Sequence, residues 1–319
     1  MRVGKAMHHF TYRNGILHAE DVNLERLAED VGTPFYCYAT ATVERHYRLF
    51  AEAVGVPHHR VFFAMKANGN LAVLQTLGQL GAGADTVSEG EIRKAMAAGI
   101  PAGRIVFSGV GKTEGELAHA VDVDLYQVNI ETESELDALS RIAAGKGKRQ
   151  TAALRVNPAV GSGGHAKITT GAAGNKFGVG IEDVVRLYAK ARNLPSVRML
   201  GLAVHIGSQI EELDDLEVAF KRLRALTLEL RAAGHTVERI DLGGGLAIPY
   251  QVPEPFTHGP ELILAYAAMV ERIFGSLDVE RSFEPGRIVV GNAGILVTRV
   301  EFVKRTGHKN FLIVDAAMN

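Results

Sequence analysis

Residues 61–108 read VFFAMKANGNLAVLQTLGQLGAGADTVSEGEIRKAMAAGIPAGRIVFS, and the alternation within this stretch decides the fold. Short apolar runs at Val61–Lys66, Ala84–Ser88 and Arg104–Ser108 read as strands. Between them, Leu71–Leu80 and Glu89–Ala98 carry apolar residues at helical spacing. Ser88 precedes Glu91 by three residues, the capping-box spacing that starts a helix. Strand, helix, strand in succession predicts a parallel crossover, because parallel neighbours cannot be joined by a tight turn.

Outward from there the texture repeats. Strands are predicted at Leu125–Asn129, Ala153–Asn157, Leu200–Ile206, Val237–Gly243 and Val279–Glu284. Helices are predicted at Thr132–Ala144, Ile181–Arg192, Leu213–Ala233 and Glu261–Gly275, with Thr132 and Glu135 again at capping-box spacing. Eight such units in roughly 225 residues approach the ~250 of a (β/α)8 TIM barrel. An open doubly wound sheet is the competing α/β architecture, but no switch point is visible among the strands. The ends fall outside this pattern. Strand His9–Arg13, turn Asn14–Gly15 and helix Leu24–Val31 precede it; strands Val289–Val303 and Phe311–Val314, divided by Lys304–Asn310, follow it. The expectation is a barrel over 34–287 and a small β-domain built from 1–33 plus 288–319, incomplete at its C-terminal side, with Phe311–Val314 as an unpaired apolar edge.

Composition excludes several function classes. Of 319 residues, 47% are hydrophobic and 22% charged, which is a globular balance. Lys+Arg 35 against Asp+Glu 36 leaves no basic excess for nucleic acid or an anionic membrane. No apolar run approaches the roughly 18 residues of a membrane span, and Met1–Phe10 lacks the apolar core of a secretory signal. The single Cys37 cannot form an intramolecular disulfide, so a cytoplasmic location is expected. No metal site is expected: His8-His9 and His58-His59 have no partners at zinc spacing. Gly109-Val110-Gly111-Lys112-Thr113 looks like the tail of a P-loop, but Val106 stands where its first glycine belongs. A dinucleotide fingerprint beginning at Gly243 fails at Ile248.

Barrel enzymes place their chemistry at the C-terminal ends of the strands, and six of the eight ends here carry polar side chains where an apolar strand stops. Lys66 closes the first; it reads either as a rim lysine reaching water or as an amine able to form a Schiff base. Asp85 and Arg155 close the second and fifth. His205, followed by Ser208, closes the sixth; it reads as a hydrogen-bonded core histidine or as a flat surface for a planar ligand. Gly243-Gly244-Gly245 follows the seventh strand, where backbone N–H groups can cradle an anion, or simply make a tight turn. Glu284-Pro285-Gly286-Arg287 closes the eighth, presenting a carboxylate and a guanidinium together, either as a surface pair or as partners of a ring nitrogen and a phosphate. An amine, an anion cradle, a flat imidazole and a carboxylate for a protonated ring converge on pyridoxal 5'-phosphate and on decarboxylation or racemisation of an amino acid. A protonated ring favours decarboxylation.

The segments Phe63-Ala64-Met65-Lys66-Ala67-Asn68, Arg155-Val156-Asn157-Pro158, Lys176-Phe177-Gly178, His205-Ile206-Gly207-Ser208-Gln209, Asp241-Leu242-Gly243-Gly244-Gly245 and Glu284-Pro285-Gly286-Arg287 resemble the diaminopimelate decarboxylases. These belong to the alanine-racemase-like barrel class that also holds the ornithine and arginine decarboxylases. The His-Ile-Gly-Ser-Gln form, with His165 and Thr170-Gly171, tilts the resemblance to the diaminopimelate branch. It implies that Lys66 anchors the cofactor, His205 stacks on its ring and Glu284 pairs with the ring nitrogen, these three being the catalytic set. It implies that Ser208, Gly245, Gly286 and Arg287 hold the phosphate, with Gly243, Gly244 and Pro285 also binding the cofactor, that Arg287 also reaches substrate, and that Asp85 and Arg155 lie around the ring and the lysine. The implied reaction converts meso-2,6-diaminopimelate to L-lysine and CO2, the last step of bacterial lysine synthesis, in a homodimer with its active sites at the interface. In the family the chain runs on past Asn319, so a shortened protein that binds cofactor but turns over poorly is expected. The alternatives are a neighbouring ornithine, arginine or carboxynorspermidine decarboxylase, and a non-catalytic pyridoxal-phosphate binder.

Overall fold

Eight parallel strands form a closed ring. They are β1 (Arg60–Ala64), β2 (Gly83–Thr86), β3 (Ile105–Phe107), β4 (Gln127–Ile130), β5 (Gln150–Asn157), β6 (Val197–Ala203), β7 (Arg239–Asp241) and β8 (Glu280–Phe283). Each pairs with the next in chain order, and β8 returns to β1 through Ser282 opposite Arg60 and Phe283 opposite Val61. The computed structural model in which this is seen describes residues 8–55, 59–160, 171, 175–250 and 258–317. All eight predicted strands land on the ring, and closure decides for the barrel over the open sheet.

Helices cover the outside because each buries an apolar stripe against the strands. Leu71–Gln79 starts where the Asn70 side chain accepts from Ala72 N–H, and Glu89–Ala97 where Ser88 accepts from Glu91 N–H. Glu133–Gly145, Ile181–Ala191, Asp214–Ala232 and His258–Phe274 fall where helical spacing places them. Thr40–Ala53 and Glu114–Asp122 complete the shell; the latter has a full capping box at Thr113 and Glu116. An aromatic cluster of Phe50, Phe220, Tyr266 and Phe283 fills the space between the helices and β8, with ring centroids 6.0–6.4 Å apart.

The two mouths of the barrel differ. At the N-terminal mouth, Phe62, Val106 and Tyr126 form their own buried cluster. Tyr126 lies under the guanidinium groups of Arg239, at 4.0 Å, and Arg60, at 5.2 Å, and its hydroxyl bonds Glu280. That mouth is plugged, so access is from the C-terminal mouth.

The chain ends add small antiparallel sheets. Phe10–Arg13, Ile16–Ala19 and Val22–Asn23 form a meander, with the expected turn at Asn14 and Gly15 in left-handed conformation, before helix Leu24–Val31. Phe35–Tyr38 pairs with Gly294–Val297, and Val300–Arg305 with Asn310–Val314. Two expectations are corrected here. Val289 and Val290 end a one-turn helix, Arg287–Val290, instead of opening a strand; Ile288 and Val289 turn inward onto the core, and Gly291 N–H bonds back to Arg287 O at 2.7 Å. The Phe311–Val314 edge is paired along one side. Asp315 ties these ends together, accepting from the Thr33 and Thr298 hydroxyls, each at 2.5 Å. Among the described residues no helix is long and apolar enough to cross a membrane.

Candidate active site

The C-terminal strand ends surround two adjoining cavities. The larger, about 680 Å³, is lined by Lys66, His205, Ser208, Gly243, Gly244, Gly245 and the run Glu284–Arg287. The smaller, about 290 Å³, is lined by Asp85, Ser108, Asn129, Arg155 and Phe177. Lys66, His205 and Glu284 line both. The barrel therefore brings all twelve expected site residues to one mouth. His165 and Thr170 lie outside the described residues.

Lys66 sits on a one-turn 3-10 helix, Met65–Ala67, immediately beyond β1. Ala64 N–H donates to Pro285 O at 3.1 Å, fixing this turn to the exit of β8. Lys66 Nζ is half-exposed and 3.9 Å from Oδ2 of the buried Asp85. Burial pushes the Asp85 carboxyl up, while Lys66, the Ser108 hydroxyl and Arg155 draw it back.

The three glycines divide the work. Gly243 and Gly245 adopt φ of 63° and 118°, a region that favours glycine. A Cβ at Gly243 would strike Val204 O, at Gly244 the Glu284 carbonyl oxygen, and at Gly245 Gly207 O. Gly243 N–H donates to Asp241 Oδ1 at 2.9 Å, and Gly244 N–H to His205 Nδ1 at 3.3 Å. Among the described residues, the Gly245 N–H has no acceptor, so of the three it is the one free to donate to a ligand. Because His205 Nδ1 accepts, its proton resides on Nε2. Burial, together with Lys66 and Arg155, holds the imidazole well below 6.5, so it stays neutral.

Glu284 and Asp241 are buried side chains from neighbouring strands. Burial pushes the Glu284 carboxyl well above 4.5, and the Asp241 and Asp85 charges push it further. Among the described residues, no hydrogen bond reaches Glu284 Oε1, Asp241 Oδ2 or Asp85 Oδ1. Orphaned buried acceptors are costly and call for a cationic or donor partner in the cavity. At the opposite side of the larger cavity, Arg287 Nη1 donates to the Tyr250 hydroxyl at 2.7 Å and to Gln209 Oε1 at 3.3 Å, which leaves the rest of its fork to an anion. Orphaned acids, one amine and a glycine turn that tolerates no Cβ together fit pyridoxal 5'-phosphate.

Four residues beyond the expected set shape this site. Asp241 backs Glu284 and holds the glycine turn; Gln209 and Tyr250 hold Arg287. Glu131, buried beyond β4, accepts from Arg155 Nη1 at 2.7 Å. Its signal was present in the sequence, since it is a charged residue following an apolar strand, as at the other ends.

Comparison with known proteins agrees with this geometry. A family model described as the pyridoxal binding domain of pyridoxal-dependent decarboxylases matches residues 40–291. The diaminopimelate decarboxylase of Pseudomonas aeruginosa is 44% identical over 310 residues, covering 97% of this chain and 74% of that protein. The Pseudomonas fluorescens enzyme of the same name is 46% identical over 311 residues, with the same coverage. The crystal structure of Helicobacter pylori diaminopimelate decarboxylase complexed with L-lysine superposes with a TM-score of 0.86 at 33% identity, covering 92% of this chain and 73% of that one. With the matching residues gathered around one barrel mouth, the chain belongs to the pyridoxal-dependent decarboxylases, in their diaminopimelate decarboxylase branch.

Proposed function

We propose that this chain decarboxylates meso-2,6-diaminopimelate to L-lysine and CO2 with pyridoxal 5'-phosphate held on Lys66. The observation that carries the reading is the pair of orphaned carboxyl oxygens on Asp85 and Glu284, two residues that line the cavities shared with Lys66 and His205. Pyridoxal 5'-phosphate, when bound, supplies an aldehyde for an amine and a ring that withdraws electrons from the bond broken at the substrate α-carbon.

Lys66 Nζ is the one lysine amine lining either cavity among the described residues, which makes it the anchor. The neutral His205 ring, fixed by the Gly244 N–H, offers a flat face to stack on. Burial and the Asp241 and Asp85 charges push the Glu284 carboxyl up, and it is placed to pair with a ring nitrogen. Gly245 N–H, the Ser208 hydroxyl and the free edge of Arg287 offer donors for a phosphate, and Gly243, Gly244, Pro285 and Gly286 keep the backbone close enough to reach it. Arg287 also lies where a substrate carboxylate would enter, and Asp85 and Arg155 set the charge around the amine.

The barrel unit is assigned to 34–287 and the smaller unit to 1–33 with 288–319, although the pairing of Phe35–Tyr38 with Gly294–Val297 argues for a seam just after residue 38. Exposed Tyr36 and Leu296 on the rim of the larger cavity favour a homodimer that completes the site, in a cytoplasmic protein without nucleic-acid or membrane partners. The test is the visible spectrum of the purified protein with pyridoxal 5'-phosphate before and after borohydride, followed by peptide mapping. A reduced adduct on Lys66, absent in Lys66→Ala, with CO2 released from meso-diaminopimelate in preference to ornithine, arginine or carboxynorspermidine, is expected. An adduct elsewhere, or release from another amino acid, overturns the reading.

A further inference from the structure

The side of the smaller cavity made by β3, β4 and β5 is organised around one carboxylate. Glu131 is buried and receives Arg155 Nη1 at 2.7 Å and Gly109 N–H at 3.1 Å on Oε1, and Gly178 N–H at 2.8 Å on Oε2. Its own N–H is held by Glu135 Oε2 at 2.9 Å. Glu135 Oε1 in turn takes the buried Lys112 Nζ at 2.6 Å, and that ammonium also donates to Gly109 O and Asn129 O, each at 2.7 Å. Lys112, in the glycine-flanked stretch that fails as a P-loop, thus serves as an internal clamp. Arg155 is pinned on its other side by Phe177, whose ring centroid lies 4.8 Å from the guanidinium carbon.

We propose that Glu131 is a positioning residue for the decarboxylation: it aims Arg155 into the cavity beside Lys66 and cancels that guanidinium's charge, so that the Lys66 amine works among acids and not beside an unpaired cation. Geometry and charge both support it. The groups that Lys66 acts on are Asp85 from β2, Glu91 from the helix after β2, His205 beyond β6 and Glu284 beyond β8, and Arg155 from β5 lines the smaller cavity beside it. Of these, Arg155 is the permanent cation. Those bearing on Glu131 are Arg155, Asp85, Glu135 and Lys112, and the Lys112 charge is met by Glu135. Removing the Glu131 charge therefore leaves Arg155 as an unpaired cation in the cavity it lines with Lys66.

This inference rests on the reading of Lys66 as the cofactor anchor, and the two fail separately. If Lys66→Ala leaves the bound cofactor spectrum intact, the anchor reading falls; the Glu131 variants are read only on protein whose spectrum depends on Lys66. In cofactor-loaded Glu131→Gln, the pH at which visible absorbance titrates should move down by about one unit, with kcat falling at least tenfold and KM changing less. Glu135→Gln unpairs Lys112 without removing the Glu131 charge, so it should lower the melting temperature while leaving the spectral midpoint in place. If Glu131→Gln lowers the melting temperature alike but leaves the midpoint unmoved, its role is only structural and the proposal is overturned. Should Glu131→Gln not fold, Glu131→Asp decides: it keeps the charge but shortens the reach, so kcat should fall while the midpoint stays, and an unchanged kcat overturns the proposal.

Discussion

The Asp241 carboxyl is the most exacting place to test this account of the site. Burial and the neighbouring Asp85 charge push it from its ordinary 3.8 up to about 6. That is about a hundredfold in proton affinity, worth about 3 kcal/mol. The native protein therefore binds this proton more tightly than the unfolded chain. Asp241 costs nothing below about pH 4, where both states are protonated; stability then falls as pH rises, and the full penalty is reached above about pH 6. Asp241→Asn removes the titration while leaving an oxygen to accept from Gly243 N–H. Cofactor-free Asp241→Asn should be more stable than wild type by about 3 kcal/mol at neutral pH and equal to it near pH 4. His205, depressed by burial, bends stability the other way: the unfolded imidazole gains a proton as pH falls through about 6.5, so this contribution rises with pH. It is common to both proteins, so the difference reads Asp241 together with the Glu284 and Asp85 carboxyls whose charges it meets. Urea unfolding followed by circular dichroism across this range reads the difference directly. Parallel wild-type and variant curves would refute the claim that the native fold stores this cost.

Two further outcomes follow from the packing. Gly244→Ala drives a Cβ into the Glu284 carbonyl and strains the N–H bond to His205; it should cost about 2–4 kcal/mol in urea unfolding and weaken pyridoxal 5'-phosphate binding at least tenfold by absorbance titration, and affinity within twofold of wild type would count against the glycine cradle. Lys112→Met leaves buried Glu135 without its cation; it should cost about 3–5 kcal/mol, and a loss below about 1 kcal/mol in the same assay would show that the Lys112–Glu135 pair is not the clamp described here.

What the sequence made legible, and what it hid, has a physical pattern. A charged residue that ends an apolar strand is expensive without a task, so Lys66, Asp85, Arg155, His205 and Glu284 stand out in the linear chain. Asp241 stood in a recognised motif, yet its closeness to Glu284 is created by the pairing of β7 with β8, which no local pattern states. Gln209 and Tyr250 meet Arg287 only because the loops after β6 and β7 fold toward the exit of β8. Val289 and Val290 have strand propensity, but burial of Ile288 and Val289 on the core selects one helical turn, an instance of packing overriding preference. The helix Thr40–Ala53 has the opposite difficulty: His46 and Thr42 are polar residues on its buried face and blur the apolar stripe.

The distribution of charge also fixes which way round a cofactor can lie. Asp85 and Glu284 line the smaller cavity, where Arg155 is already committed to Glu131 and His205 is neutral. With that guanidinium already paired, this side favours a group that arrives with a positive charge or a proton. Around the larger cavity the polarity reverses: Arg287 and the Gly245 N–H face an anion with no carboxylate among their hydrogen-bond partners. A molecule with a basic ring nitrogen at one end and a phosphate at the other satisfies both sides in a single orientation. Turned around, it would set a phosphate against the Asp85 and Glu284 carboxyls, an unfavourable placement in a medium of low dielectric. The protein need not select that orientation by shape; its unpaired acids exclude the alternative.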